Sequence, residues 1–222
     1  MFDLLVENDL LPQCCQNGFS AVAVTHRYLK ASPIPQPQQS SNVLSLAKNK
    51  RPALEKYSRI HVHLDETNAN APIANAAFLS YDIISVTPTN EKLFALACQQ
   101  LDIDIISIDM SQRLDYHFKM PNINTAIARG IHFEVTYGGS LRDASCKRNL
   151  FANATTLFKA TKGRNVIVSS DAKNIMQLRR PTDVINLCSL FGMSQSQARD
   201  ALTVNCRAVI IHGGIYILDY LI

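Results

Sequence analysis

The sequence has no G-x-x-x-x-G-K-[ST] phosphate loop, no dinucleotide-type glycine fingerprint and no G-x-S-x-G elbow. Those absences remove the most readable routes to nucleotide binding and to serine hydrolase chemistry. It also lacks any C-x-x-C pair. The six cysteines, at 14, 15, 98, 146, 188 and 206, are scattered, which argues against a zinc site or a disulfide framework and for free thiols in a reducing compartment. No apolar run is long enough to span a bilayer. The opening MFDLLVEND places acids where a secretory leader needs bases, so the expectation is a soluble, intracellular protein. Internal repeats and coiled-coil heptads are missing too. Charged residues make up only 18% of the chain, too few for general disorder, whereas 47% is hydrophobic. That is enough for a sizeable core, and 222 residues fit one large domain.

What is present is a recurring short run of Ile and Val. SAVAVT (20–25), IHVHLD (60–65), DIISVTP (82–88), DIDIISID (102–109), IHFEVTY (131–137), NVIVSSD (165–171) and AVIIHGG (208–214) read as strands, and MFDLLV at the start adds an eighth candidate. Helical patterns lie between them. Leu93, Leu96, Ala97 and Leu101 share a face within 90–101, and Leu150, Phe151, Ala154, Leu157 and Phe158 form a stripe within 144–162. Pro181 opens a helix that Gly192 follows, and Ser194 caps another over 194–209. Strand–helix alternation every 25 to 30 residues means parallel pairing. The expected fold is α/β: a single TIM-like (β/α) barrel of seven or eight units over 1–222. The Pro/Gln/Ser-rich segment 31–43 reads as a surface loop, and the apolar 215–222 as an atypical C-terminal end.

The stretch PNINTAIARGIHFEVTY (121–137) shows how chemistry and scaffold compete. Ile123, Ala126 and Ile127 follow helical spacing, Arg129 falls in the last turn as a possible helix-capping cation, and Gly130 supplies a left-handed stop. The period then drops to two. His132, Glu134 and Thr136 share one strand face, as an active site would require and as a structural polar layer would equally produce. His61 and His63 in HVHLD also share a face. With His132, Asp171 and His212 they could hold a divalent ion that activates water, in the manner of metal-dependent hydrolase barrels. The plainer alternative is the wet face of a strand. His117 has no evident partner. Asp102, Asp104 and Asp109 tempt a carboxylate-pair reading, but Asp102 and Asp104 precede the apolar run and are expected at its solvent end.

The formal net charge of +4 is unevenly distributed. Residues 140–180 hold nine Lys or Arg against two Asp. Such a segment is either a surface for a polyanion or a solvated helix face. The candidate RNA-binding residues are Arg142, Lys147, Arg148, Lys159, Lys162, Arg164, Arg179 and Arg180, with Arg129 shared between that role and helix capping. Arg148 and Lys159 are eleven residues apart and project on one side of the helix. No aromatic interleaves these cations, so phosphate contact is expected over base stacking.

Several ordered stretches carry a resemblance. SYDIISVTPTNEKLFALACQQLDIDIISID, FKMPNINTAIARGIHFEVTY, KRNLFANATTLFKATKGRNVIVSSDA, LRRPTDVINLCSLFGMSQSQARDAL and NCRAVIIHG together span 80–213 nearly continuously. GFSAVAVTH (18–26) fits more weakly, and 31–75 only loosely. The chain resembles the thirty-kilodalton protein subunit of ribonuclease P, which is shared with the mitochondrial RNA processing ribonuclease (RNase MRP). The resemblance implies a barrel of the polymerase-and-histidinol-phosphatase type without its metal centre, no catalytic residue and no cofactor. It implies a structural polar layer for His132, Glu134 and Thr136. It further implies a particle whose RNA removes 5′ leaders from precursor tRNA. The expected partners are that RNA, precursor tRNA and a small ferredoxin-like protein subunit, with no membrane, in the nucleus and nucleolus.

Overall fold

The computed structural model describes residues 1–28, 34, 36–37, 54–67, 73, 75–114 and 116–219, with side chains to 214. Apart from 34, 36 and 37, the 31–43 segment lies outside the described residues, as does most of 215–222 beyond its backbone. Seven strands pair in sequence order, every pair parallel: β1 (Phe2–Val6), β2 (Ala21–Tyr28), β3 (Glu55–Leu64), β4 (Ile83–Pro88), β5 (Ile105–Ile108), β6 (His132–Thr136) and β7 (Val166–Ser169). The result is a nearly closed α/β barrel of TIM type. Six of the Ile/Val runs and the N-terminal candidate are strands. The seventh run, AVIIHGG, is not: it lies inside a helix. Its apolar residues suit a helix as well as a strand, because a short apolar run has no decisive period.

The helices follow the strands. α1 (Leu11–Asn17) follows β1, α2 (Ala76–Leu79) precedes β4, α3 (Glu91–Gln99) follows β4, and α4 (Met120–Ala128) precedes β6. α5 (Ala144–Thr161), α6 (Pro181–Leu190) and α7 (Gln195–Asp200) complete the outer layer, and α8 (Val204–Asp219) comes last. Local chemistry sets their ends. Asn90 caps α3 through Leu93 N–H (2.9 Å), Asp143 caps α5 through Cys146 N–H (2.8 Å), and Ser194 with Gln197 forms a capping box on α7. Gly130 stops α4 at φ +82°, a conformation that favours glycine. The main core lies between the outward strand faces and the helices, where Ile60, Val86, Ile106, Phe133 and Val168 meet Phe94, Ala126, Leu157 and Cys188. Among the described residues, no helix is long and apolar enough to cross a membrane, and all six cysteines are free.

The last seam is the weak one. Among the described residues β1 and β7 share no ladder: one bridge joins Val6 to Ala172, and Asp171 N–H donates to Leu5 O (3.2 Å). Side chains supplement it: Asp3 Oδ1 accepts Ser170 N–H (3.0 Å) and Ser170 Oγ donates to Leu5 O (3.3 Å). α8 floors the barrel, with Cys206 and Val209 buried against Phe2, Leu4, Ala23, Ile83, Ile105 and Ile167. Gly213 permits that approach, because a Cβ there would collide with the carbonyl oxygen of Asp82.

Candidate functional site

The inward residues of each strand step from one chemistry to another along the barrel axis. β4 presents Ile83, Ser85 and Thr87; β7 leads through Ile167 and Ser169 to Asp171; β5 leads through Ile105 and Ser107 to Asp109. Alternation puts every second residue in the lumen, so three levels result: an apolar floor, a polar middle and a wet mouth.

The middle is filled by Arg59, which with Glu134 is wholly buried. Its Nη1 and Nη2 donate to Glu134 Oε1 (2.7 Å) and Oε2 (2.6 Å), its Nε to Ser85 Oγ (2.7 Å), and Nη1 also to Leu4 O (2.7 Å). One guanidinium thus joins β1, β3, β4 and β6 across the lumen. Burial alone would raise the Glu134 pKa, but Arg59 outweighs it and holds the carboxyl below its ordinary value. A carboxylate locked in this fork is a poor general base or metal ligand.

His61 sits above this pair. Ser85 Oγ already receives Arg59 Nε and donates to Ile60 O (3.1 Å). It therefore accepts from His61 Nδ1–H (2.9 Å), and the remaining lone pair on Nε2 accepts from Thr87 Oγ1 (3.2 Å). Burial, Arg59 and Arg27 push the His61 pKa well down, so the ring is neutral with both nitrogens engaged. His63 stands exposed at the rim. Asp171 Oδ1 accepts from Arg27 (2.7 Å) and Lys173 (3.0 Å). Among the described residues, no group of three or more His, Cys, Asp or Glu side chains is placed to hold a metal ion. His212 is at the opposite end of the barrel from His61. Its Nδ1 faces Asp104 Oδ1 (2.7 Å) and its Nε2 faces Arg129 O (2.9 Å). Each nitrogen faces an oxygen, and the hydrogen bond to Asp104 raises the ring's pKa, which favours the imidazolium. Asp104 is only 2% exposed, which corrects its expected place in solvent. Asp102 is exposed, and Asp109 Oδ1 accepts from Ser111 N–H (2.9 Å) in a turn at the mouth.

His132, Glu134 and Thr136 share the inward face but sit at successive heights, because alternate residues on a strand are about 6.6 Å apart. His132 donates to Gly130 O (2.9 Å) near the floor, where burial pushes its pKa to about 4. Glu134 occupies the middle and Thr136 lines the mouth. His117 is exposed.

The basic residues divide. α5 runs from the mouth to the floor end, so Arg142, Lys147 and Arg148 lie at its mouth end, and Lys159, Lys162 and Arg164 at the other. Eleven residues of helix between Arg148 and Lys159 span about 16 Å. Arg179 and Arg180 follow β7 on the mouth side. All eight are exposed. The basic residues therefore form two clusters, one toward each end of the barrel. Arg129 belongs to neither. Its guanidinium donates to Cys98 O (3.2 Å), Leu101 O (2.6 Å) and Asp102 (3.1 Å). It caps the C-terminal end of α3, a neighbouring helix, instead of its own. Arg59 was not singled out from the sequence, because a lone arginine ordinarily reads as surface. Its one signal was the shared parity of Tyr57, Arg59, His61 and His63.

The sequence profile described as RNase P subunit p30 matches residues 4–215. The mouse protein named ribonuclease P protein subunit p30 is 36% identical over 219 residues, covering 95% of this chain and 82% of that one. The Saccharomyces cerevisiae protein named ribonuclease P/MRP protein subunit RPP1 is 25% identical over 163 residues, covering 73% and 55% respectively. A chain in the cryo-EM structure of archaeal ribonuclease P with mature tRNA shares the fold with a TM-score of 0.65 and 16% identity, covering 99% of this chain and 89% of that chain. On the family match, the barrel and the extent of both, the chain belongs to the RNase P subunit p30 family.

Proposed function

We propose that this chain is a non-catalytic protein subunit of the ribonuclease P particle, shared with RNase MRP, and that it supports endonucleolytic removal of 5′ leaders from precursor tRNA. The family match across residues 4–215 carries the reading. The filled lumen supports it, since Glu134 is held by Arg59 and both His61 nitrogens are engaged by hydroxyls. The role left to the chain is a scaffold for the particle's RNA. Exposed Arg142, Lys147, Arg148, Arg179 and Arg180 at the mouth end meet phosphates. Lys159, Lys162 and Arg164 form a second contact at the floor end. A small ferredoxin-like subunit is the protein partner, and the nucleus and nucleolus are the location.

The test is affinity purification of the tagged chain from cells, with its bound RNA and protein identified. The expected companions are the particle's RNA and the small subunit, and depletion should accumulate tRNA precursors that retain their 5′ leaders. A purified chain that cleaved RNA unaided, or that retrieved no such RNA, would overturn the reading.

A further inference from the structure

The mouth holds a cavity of about 250 Å³ for which a scaffold role has no use. It lies just below the usual range of ligand sites, about 300–1,000 Å³. That is room for one mononucleotide and far too little for a paired RNA helix. Its charges are mixed, with Arg27, Arg142 and Lys173 against Asp109 and Asp171. A bare phosphate would meet both carboxylates, whereas a nucleotide brings hydroxyl donors along with its phosphate.

The unsatisfied atoms match that pairing. Arg142 gives Nε to Gly139 O (2.9 Å), and its terminal nitrogens have no partner among the described residues. Asp109 and Asp171 each accept their hydrogen bonds on Oδ1, and among the described residues Oδ2 of each accepts none. Ser140, 1% exposed, lines the cavity, and its hydroxyl has no partner there either. Buried polar groups are rarely left so.

One wall is a fixed segment. Lys173 N–H donates to Gln177 Oε1 (2.8 Å), Gln177 N–H to Asn174 Oδ1 (3.2 Å), and Arg179 N–H to Tyr137 Oη (3.2 Å). Between these anchors Ile175 is 56% exposed and Met176 80% exposed, with Arg179 and Arg180 directly after. Two apolar side chains held out on an ordered, cation-flanked turn fit splayed bases of a polyanion.

Resting on the ribonuclease P reading, we infer that the barrel mouth captures a single unpaired ribonucleotide of an RNA strand. Its ribose hydroxyls meet Asp109 and Asp171, its phosphate meets Arg142, and an adjacent base lies on Ile175 and Met176. The 2′-hydroxyl contact makes the site selective for RNA over DNA.

The experiment measures binding of the full chain to a short single-stranded RNA, the same sequence as DNA, and the RNA duplex. Single-stranded RNA should bind at least tenfold tighter than either. The exposed pair Ile175→Asp with Met176→Asp, which alters no core contact, should remove that preference, and Arg142→Ala should weaken it about fivefold. In the particle reconstituted with its RNA, a photo-crosslinker replacing Met176 should label an unpaired nucleotide. Crosslinks to protein only would assign the apolar pair to a protein partner and overturn the inference, as would equal binding of duplex. If the Asp pair left assembly and binding unchanged, this inference would fail and the ribonuclease P reading would stand. If the chain bound no particle RNA at all, that reading would fall as well.

Discussion

Arg59 and Glu134, 75 residues apart in sequence, form a two-pronged ion pair at 2.7 and 2.6 Å with neither side chain reaching solvent. Removing one partner strands a charge, whereas removing both leaves a volume that apolar side chains can fill. Arg59→Ala should destabilise the fold by roughly 3–5 kcal/mol, and Arg59→Met with Glu134→Leu should be near neutral. Denaturant unfolding of both variants checks this. A double variant as unstable as the single would refute it.

Acid should act on the same pair. Glu134 has a folded pKa below its ordinary value, so its stabilisation is complete above about pH 4.5 and is lost as pH falls through the folded value. The unfolding midpoint should drop steeply below pH 4.5. The drop should be shallower in the Met/Leu variant.

The seam carries the opposite sign. Burial raises the Asp3 pKa to about 6, so stability linked to this group is full below about pH 3.9 and is lost as pH rises through about 6. Asp3→Asn retains an acceptor for Ser170 and cannot ionise. Its stability relative to the parent should therefore improve between pH 4 and 7, by at most roughly 3 kcal/mol. A difference that is flat with pH would exclude this role for Asp3.

His212 adds a second loss at higher pH. Its raised pKa means that the link from Asp104 to Arg129 O is complete below pH 6.5 and weakens as pH rises through the folded value. NMR titration of the ring should place its midpoint above 6.5, and His212→Ala should flatten the stability profile on that side.

Arg129 and the mouth cations should separate cleanly. Arg129→Ala removes the cap on α3 and should lower stability by roughly 1–2 kcal/mol without changing the salt dependence of RNA binding. Arg148, Arg179 and Arg180 changed together to Ala should leave stability alone and reduce the salt slope by about two to three. Lys159, Lys162 and Arg164 form the matched set for the floor end. If Arg129→Ala moved the slope and the mouth triple did not, the assignments would have to be exchanged.

Much of this barrel was legible in the chain, because Ile/Val runs bounded by polar residues mark parallel strands wherever both faces are covered. β3 begins at Glu55, five residues ahead of its apolar run, because Arg59 fills the polar middle of the lumen and Tyr57, below it, packs beside the apolar floor. The AVIIHGG run failed as a strand because a short apolar run has no decisive period: this helix buries Val209 against the floor and leaves Ile211 exposed. His212 and Asp104 are 108 residues apart, and no local pattern announces such a pair. The mouth was partly visible, since HVHLD and SSDA carry lining residues. The division of the basic segment between two ends was not, because charge counted along a helix does not say where its strands enter and leave.

The floor made by α8 also sets an order of events during synthesis. Strands emerge from the ribosome in the order in which they pair, and each can zip onto the one before. Yet Ile83, Ile105 and Ile167 find Cys206 and Val209 only after nearly all of the barrel has been made, and Asp3 must wait for Ser170. Contacts so distant in the chain form late and slowly. Until then the nascent sheet is an open arc with an uncovered apolar inner end, so the chain's dependence on chaperones should be greatest just before residue 209 is exposed.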